Sequence, residues 1–191
     1  PIIKVKCLKH IYPDKTEVNI CGLDFIVNKG DRVVILGPNG TGKTTLLSHI
    51  LGILKPVDGQ ISVFGVNPFK EFKHIRKKIG VVFQNVDEQI IGPTVYDDIA
   101  FSLRNEGMSK EVVKDKVYGV AKTLGIEHIL EKIPHYLSGG QKKKVALAGA
   151  LSMSPELLIM DEPFDGLDPK SKKEMIELIN VLNRDMGVTT I

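Results

Sequence analysis

Only two cysteines occur, Cys7 and Cys21, too few for the disulfide framework of a small secreted domain, and this points to a reducing compartment. Both fall on apolar faces of alternating segments. Burial without a basic neighbour leaves a thiol inert, so they read as core residues with no metal or redox role. No run of about 18 apolar residues is present, which excludes a membrane-spanning helix, and the N-terminus lacks the basic, apolar and small-residue order of a signal peptide. A membrane is expected to matter only through a partner. A charge excess is also missing: 26 basic against 23 acidic residues leave +3, too little to argue for a nucleic-acid-binding surface. Internal repeats and low-complexity linkers are absent. What remains is a chain of 191 residues, 42% hydrophobic and 26% charged, the size and composition of one globular folding unit with a sizeable core. Residue 1 is Pro, which suggests a trimmed chain.

From Ile2 to Tyr12 apolar and polar residues alternate, and the pattern returns at Cys21, Leu23, Phe25 and Val27 after the turn-forming run YPDKT. This predicts an antiparallel hairpin. Continuous apolar runs follow at Arg32 to Leu36, Ile79 to Phe83 and Leu157 to Met160, a pattern suited to parallel strands covered on both faces. Helical periodicity is clearest at Met175, Leu178, Ile179, Leu182 and Met186. Weaker helices are predicted near Thr45 to Leu51, Val95 to Asn105, Lys110 to Leu124 and Gln141 to Met153. The order is an antiparallel start, alternating strands and helices, and a helical insertion between about Asn85 and Ser154. The fold class is α/β.

The strand ending at Leu36 leads into GPNGTGKT, Gly37 to Thr44, and then into Thr45, Leu46, Leu47, Ile50 and Leu51, spaced as the buried stripe of a helix. Strand, glycine loop and helix in this order form a phosphate cradle. Glycines let successive backbone N–H groups curl around phosphate oxygens, and the helix begins with its positive end aimed at the same anion. Gly37, Pro38, Asn39, Gly40, Thr41, Gly42, Lys43, Thr44 and Thr45 are the expected nucleotide contacts. Lys43 reaches the β- and γ-phosphates and the Thr44 hydroxyl sits on Mg²⁺ in this reading.

Leu157 to Met160 ends in Asp161-Glu162, two carboxylates at the C-terminal end of a buried strand, where open α/β sheets keep their ligand crevice. Asp161 is assigned to the metal and Glu162 to an attacking water. Gln84 ends another apolar strand in the same way, and its neutral amide suits contact with both metal and water. Downstream, Ser138 and two glycines precede a helix and form a second anion-binding start. Lys142, Lys143 and Lys144 lie in the first turn of that helix, where the dipole disfavours cations. They are read as a solvated basic face.

Leu137-Ser138-Gly139-Gly140-Gln141 is LSGGQ. Together with GPNGTGKT, Gln84 and LLIMDEP, it resembles the ATP-binding subunit of ABC-type (ATP-binding cassette) transporters over essentially the whole chain. The resemblance implies a P-loop NTPase (RecA-like) core with an N-terminal antiparallel β subdomain, over residues 1–84 and 155–191, and an inserted α-helical subdomain over 85–154. It implies ATP and Mg²⁺ as ligands, with Lys43, Gln84 and Glu162 catalytic and Thr44, Gln84 and Asp161 on the metal. It also implies a head-to-tail dimer in which Ser138, Gly139, Gly140 and Gln141 of one subunit close over the ATP of the other. Tyr12 matches the aromatic position that stacks on adenine. Asp168, in FDGLDP, matches a loop that communicates across the dimer, and Asp168-Pro169 is equally a plain N-cap and N1 pair. Phe164 and Asp165 stand where the family favours small or hydroxyl residues.

The stretch FQNVDEQIIGPTVYDDIAF, Phe83 to Phe101, resembles the FQNPDDQ…TVEEDVAFG segment of energy-coupling-factor and cobalt-type importers, with Val86 in place of the usual proline. This implies a subunit at the cytoplasmic face of the membrane that powers uptake of cobalt, nickel or a vitamin. Its permease partner would dock in a groove near residues 84–101. Ile90, Ile91 and Tyr96 are candidates to line that groove, although each equally suits a core position. No nucleic-acid partner is expected, since too few positions separate Gln84 from Ser138 for the long coiled coil of DNA-repair cassettes. The family's γ-phosphate histidine follows the next strand, whereas this chain stops at Ile191 inside it, and His10, His49, His74, His128 and His135 all lie elsewhere. Slow hydrolysis is therefore expected of this length of chain. The competing reading is a nucleotide-responsive dimerising module with little turnover.

Overall fold

The structure is a computed structural model and describes residues 1–21 and 24–191. It divides into two compact units, one made of Pro1–Lys77 with Thr189–Ile191 and the other of Lys78–Val188.

In the first unit β1 (Ile3–Ile11) is the central strand. It pairs antiparallel with β2 (Glu17–Ile20), β3 (Phe25–Val27) and β4 (Asp58–Val63). Ile3 to Val5 partner both β3 and β4, so those two strands must take opposite edges of β1. The predicted hairpin is present. Its turn closes with Tyr12 N–H donating to the Thr16 carbonyl at 2.9 Å, and Lys15 takes φ +68°. The strand that closes the hairpin is β2, just ahead of the expected return segment; of that segment Leu23 lies outside the described residues, Cys21 follows β2 without joining a strand, and Phe25 and Val27 lie in β3.

The cysteine expectation is overturned. Cys7 and Cys21 form a disulfide, and both are exposed. Strict alternation from Ile3 and Val5 would bury residue 7. Instead, the β1–β4 register shifts between Lys6 and Lys9, Cys7 takes φ +48°, and the buried positions resume at Leu8 and His10. A bulge inserts one residue and flips the pleat, which turns Cys7 outward. Gly59 faces this bulge at φ +100°, and a Cβ there would collide with the Cys7 carbonyl.

The expected strand at Arg32 to Leu36 is reduced to an isolated bridge between Arg32 and Thr190, with Val33 N–H on the Thr190 carbonyl at 2.9 Å. Val34 is 67% and Leu36 87% exposed. An apolar run records a preference for cover, not the pairing that supplies it, and here only Val33 and Ile35 are partly covered. Two elements go unmarked by periodicity, β4 and α2 (Pro68–Ile75). The latter is started by Pro at its first turn and by Asn67, which accepts from Phe69 N–H. Against the sheet packs α1 (Lys43–Ile50). The core of this unit is Ile3, Val5, Leu8, Val27, Leu46, Leu47, Ile50, Ile61 and Val63.

The second unit pairs β5 (Ile79–Val82) in parallel with β6 (Leu157–Met160), in register from Ile79↔Leu157 to Val82↔Met160. Around them lie α3 (Val86–Gln89), α4 (Val95–Asn105), α5 (Lys110–Leu124), α6 (Gly139–Leu151) and α7 (Pro169–Arg184). Helices α4 and α5 have the expected bounds, whereas α6 starts and ends two residues earlier than expected and α3 has no counterpart in the periodicity. Thr94 caps α4, Ser109 caps α5, and Gly125 at φ +66° ends α5. The faces Val95/Ile99/Leu103 and Val113/Val117/Ala121/Leu124 meet α6 through Val145 to Ala148 in one core. Gly80 lets β5 approach α6 closely, since a Cβ there would stand 2.6 Å from the Ala150 carbonyl. The α7 stripe buries Met175, Ile179 and Leu182, but the helix ends at Arg184 and leaves Met186 56% exposed. Among the described residues no helix is long and apolar enough to cross a membrane.

Leu147 is 1% exposed at the centre of the helical core. Replacing it by Ala is expected to lower stability by about 3 kcal/mol through lost burial and a residual cavity; a urea unfolding midpoint measures this.

Candidate functional site

In the first unit the glycine loop turns directly into α1. Gly42 is the N-cap at φ +88° and Gly40 stands at φ +82°, left-handed values that place successive amides on one concave side. The loop is closed internally by Thr41, whose hydroxyl donates to the Pro38 carbonyl at 2.8 Å. A Cβ on Gly37 would stand 2.8 Å from that hydroxyl oxygen. Lys43 folds back over the loop and donates to the carbonyls of Gly37 at 2.8 Å and Pro38 at 2.9 Å. Its ammonium is thereby held at the rim of the cradle, where exchange of two carbonyls for phosphate oxygens is favourable. The donor set fits a polyphosphate: a left-handed glycine loop, the amides of a helix start and a positioned ammonium.

Tyr12 is tied to this loop by its hydroxyl, 2.8 Å from Thr45 Oγ1. Thr45 is buried, whereas Thr44 is exposed. Behind Tyr12 lie two rings: His10 meets it edge-on at 4.5 Å, and His49 meets His10 at 5.0 Å. His49 Nδ1 lies 2.9 Å from the Leu54 carbonyl. Burial, the largest effect, pushes the His49 pKa below its ordinary value. These histidines give the hairpin a packed backing, consistent with core roles.

The second unit brings the remaining candidates together around the end of β6. Its four residues are buried, and the chain leaves the core at Asp161-Glu162. Asp161 N–H continues the ladder to the Val82 carbonyl at 2.9 Å. Glu162 adopts φ +48°, a left-handed value costly for a residue with a side chain. Its carboxylate Oε2 accepts from Gln84 Nε2 at 2.9 Å, and its carbonyl accepts from Lys143 Nζ at 3.1 Å and from Asp165 N–H at 3.1 Å.

The basic face expected at Lys142 to Lys144 is not solvated. Lys143 is 5% exposed, Lys142 pairs with Asp87 at 2.6 Å, and Lys144 pairs with Glu174 at 3.0 Å. The helix starts at Gly139, two residues before its expected start, so Lys142 lies in its first turn and Lys143 and Lys144 in its second; each is met by an oxygen supplied from another segment, which for Lys142 offsets the unfavourable dipole. Burial depresses the Lys143 pKa, while Asp165, Glu162 and Asp161 oppose that shift. Ser138 caps α6 in a reciprocal box with Gln141: Ser138 Oγ accepts from Gln141 N–H, and Gln141 Oε1 accepts from Ser138 N–H. Gly139 and Gly140 follow in its first turn. Asp168 caps α7, accepting from the N–H groups of Lys170 and Ser171 at 3.0 Å and from the Ser171 hydroxyl at 2.6 Å.

A family model described as ABC transporter matches residues 20–165. The chain belongs to the ABC transporter family. It is 48% identical over 184 residues to a putative ABC transporter ATP-binding protein of Methanopyrus kandleri, covering 96% of this chain and 68% of that one. It is 46% identical over 194 residues to the energy-coupling factor transporter ATP-binding protein EcfA of Methanocaldococcus jannaschii, covering 100% and 68% respectively. Among solved structures, cbiO1 from Clostridium perfringens, part of the complex cbiONQ, aligns with a TM-score of 0.89 at 38% identity, covering all of this chain and 76% of that one. The cassette MJ0796, dimeric and bound to ADP and Pi, aligns at 0.83 with 28% identity, covering 98% and 85%. The chain spans 59% to 69% of the length of the curated relatives it matches. The fold is that of the ABC cassette, with the P-loop NTPase architecture expected from its motifs.

Within the cassette, three positions join the site that motif spacing had not marked as functional. Gln89 bridges the end of β5, accepting from Phe83 N–H at 2.9 Å and donating to the Val81 carbonyl at 2.8 Å, and so braces the residues just before Gln84. Asp98 Oδ1 accepts from the N–H groups of Ile91 at 2.8 Å and Gly92 at 2.9 Å. Lys143 is the third. Of the proposed groove residues, Ile91 is 63% exposed. Ile90 and Tyr96 are half-buried against the helical core.

Two measurements check this geometry. Gly42→Ala combines a left-handed φ with a Cβ 2.6 Å from Val18 Cγ1. It should weaken nucleotide binding about 10-fold or more, in line with about 1–3 kcal/mol of backbone strain, as read by fluorescent-nucleotide titration. Hydrogen bonds from Ser171, the largest effect, hold the Asp168 carboxyl below the ordinary carboxylate range. Its cap therefore contributes above the unfolded carboxylate pKa and is lost as pH falls through the lowered folded value. A carboxyl NMR titration should give a midpoint below that of a free Asp.

Proposed function

We propose that this chain is the ATP-binding and ATP-hydrolysing subunit of an energy-coupling-factor type importer for cobalt, nickel or a vitamin. The observation that carries the reading is the 2.9 Å hydrogen bond from Gln84 to Glu162 at the end of buried β6. A neutral amide orients the carboxylate without neutralising it, and one oxygen bonded leaves the other able to accept a proton from water. In the proposed reaction a water oxygen bonds to the terminal phosphorus of ATP, the bond to the bridging oxygen breaks, and Glu162 takes the proton of the attacking water. The amides of the glycine loop and the Lys43 ammonium bind the phosphate charge. Tyr12 forms the adenine side of the cradle. Thr44, Asp161 and Gln84 offer the oxygen ligands that suit Mg²⁺, which when bound neutralises phosphate charge.

The name of the Methanocaldococcus jannaschii relative and the likeness to cbiO1 support the importer class. The partners that fit this reading are a second cassette, identical or merely similar, and a membrane permease. The first would place its ATP against Ser138 to Gln141 in head-to-tail closure, with Asp168 communicating across the dimer. The second would meet the surface of residues 84–101, where Ile91 and Phe101 are exposed beside an exposed Phe83. The chain would then lie peripherally on the cytoplasmic face of the membrane.

Glu162→Gln tests the reading. Steady-state phosphate release should fall about 100-fold or more, the range of a lost general base, and an ATP-bound dimer should accumulate on size-exclusion chromatography. Unchanged behaviour would instead establish a nucleotide-responsive module without useful turnover.

A further inference from the structure

Glu162 combines two features that conflict. It carries the carboxylate assigned to water activation, and its backbone sits at φ +48°, a conformation that an L-residue keeps only when its surroundings over-determine it. The surroundings are specific. The Glu162 carbonyl accepts a turn bond from Asp165 N–H and a charged one from Lys143 Nζ. The turn bond alone closes a loop of exposed residues, Phe164, Asp165 and Gly166. The ammonium is different, because it comes from the second turn of α6, a helix packed into the buried core through Val145 to Ala148.

Lys143 is also an unusual residue to bury. An ammonium at 5% exposure loses most of its hydration, and the depressed pKa records that cost. Three carboxylates, those of Asp161, Glu162 and Asp165, supply the opposing field, and the carbonyl supplies the hydrogen bond. Its two neighbours in sequence take unrelated partners, Asp87 for Lys142 and Glu174 for Lys144, so the three lysines are not interchangeable.

We propose that Lys143 is a positioning residue for hydrolysis, fixing the left-handed backbone of Glu162 so that its carboxylate meets Gln84 and the attacking water. The inference rests on the proposed role of Glu162. It adds that the helix opened by Ser138-Gly139-Gly140-Gln141 sets the aim of that carboxylate within the same chain, through a single ammonium. A shift of the N-terminal half of α6 moves Lys143 and, with it, the carbonyl it holds.

The experiment compares wild type, Lys143→Met, Lys143→Arg and Glu162→Gln in two measurements on the full chain, steady-state phosphate release from Mg-ATP and backbone hydrogen–deuterium exchange without nucleotide. Lys143→Met keeps the volume and removes the donor. It should lower kcat about 10-fold or more, the scale of one charged hydrogen bond, with KM for ATP within about twofold and faster exchange confined to Met160–Leu167. Lys143→Arg should recover most of kcat and the slow exchange. Wild-type kcat and exchange in Lys143→Met would overturn the proposal. So would equal loss in the Met and Arg variants accompanied by faster exchange throughout α6, which marks a packing role. If Glu162→Gln hydrolyses ATP like wild type, the role of Glu162 fails, and local exchange in Lys143→Met still decides whether the lysine holds that backbone.

Discussion

The carbonyl of Glu162 gathers a turn amide and a buried ammonium onto one oxygen, and the organisation of the helical unit converges on that junction. β6 can be wholly buried because its four side chains are apolar and its backbone is paired with β5. It can carry no charge until it leaves the core, so the acidic pair falls at its end. The left-handed turn at Glu162 then redirects the chain, and α7 begins a few residues later under the Asp168 cap. The helix that supplies the ammonium is itself started by the Ser138–Gln141 box. Strand end, turn and helix start thus constrain one another through short hydrogen bonds, where a displacement of one ångström is a large fraction of the bond.

The first unit solves a different problem, presenting backbone amides to an anion without leaving them unpaired in the core. The glycine loop is exposed, its Gly37 and Pro38 carbonyls are met by Thr41 and Lys43, and the packed rings lie behind it. Tyr12, His10 and His49 form a ring-on-ring backing between hairpin and α1. Val18 reaches from β2 to the N-cap of α1, where only glycine leaves room for it. The β1–β2 hairpin is therefore part of the cradle wall. The Cys7–Cys21 disulfide ties the base of that hairpin together, an arrangement opposite to the inert thiols that alternation suggested.

Function-bearing segments were the most legible parts of the sequence. A glycine loop before a helix, an acidic pair after an apolar strand and a serine-glycine helix start each combine residue chemistry with a fixed local order. The relatives at 46% and 48% identity place the chain in the family those motifs implied. Helices α4 and α5 carry only a weak apolar period, yet their expected bounds hold, because Thr94, Ser109 and Gly125 cap them in the structure. Strand β4 escaped because its first half, Asp58-Gly59-Gln60, is polar and carries no apolar alternation, and helix α2 because Glu71 kinks it, with φ −130°, and interrupts the helical period.

The sequence alone determined the chemistry on offer: which residues can hold phosphate, metal and water, and in what order along the chain. Local spacing suffices there, since a loop and its following helix lie within a few residues of each other. Tertiary structure decided what each side chain meets. It turned Cys7 outward through a one-residue bulge, and it buried Lys143 against a carbonyl nineteen positions away. It also paired Gln84 with Glu162 across β5 and β6. Those outcomes depend on register and packing between distant segments, and a shift of one residue in either would send every one of these groups to a different partner.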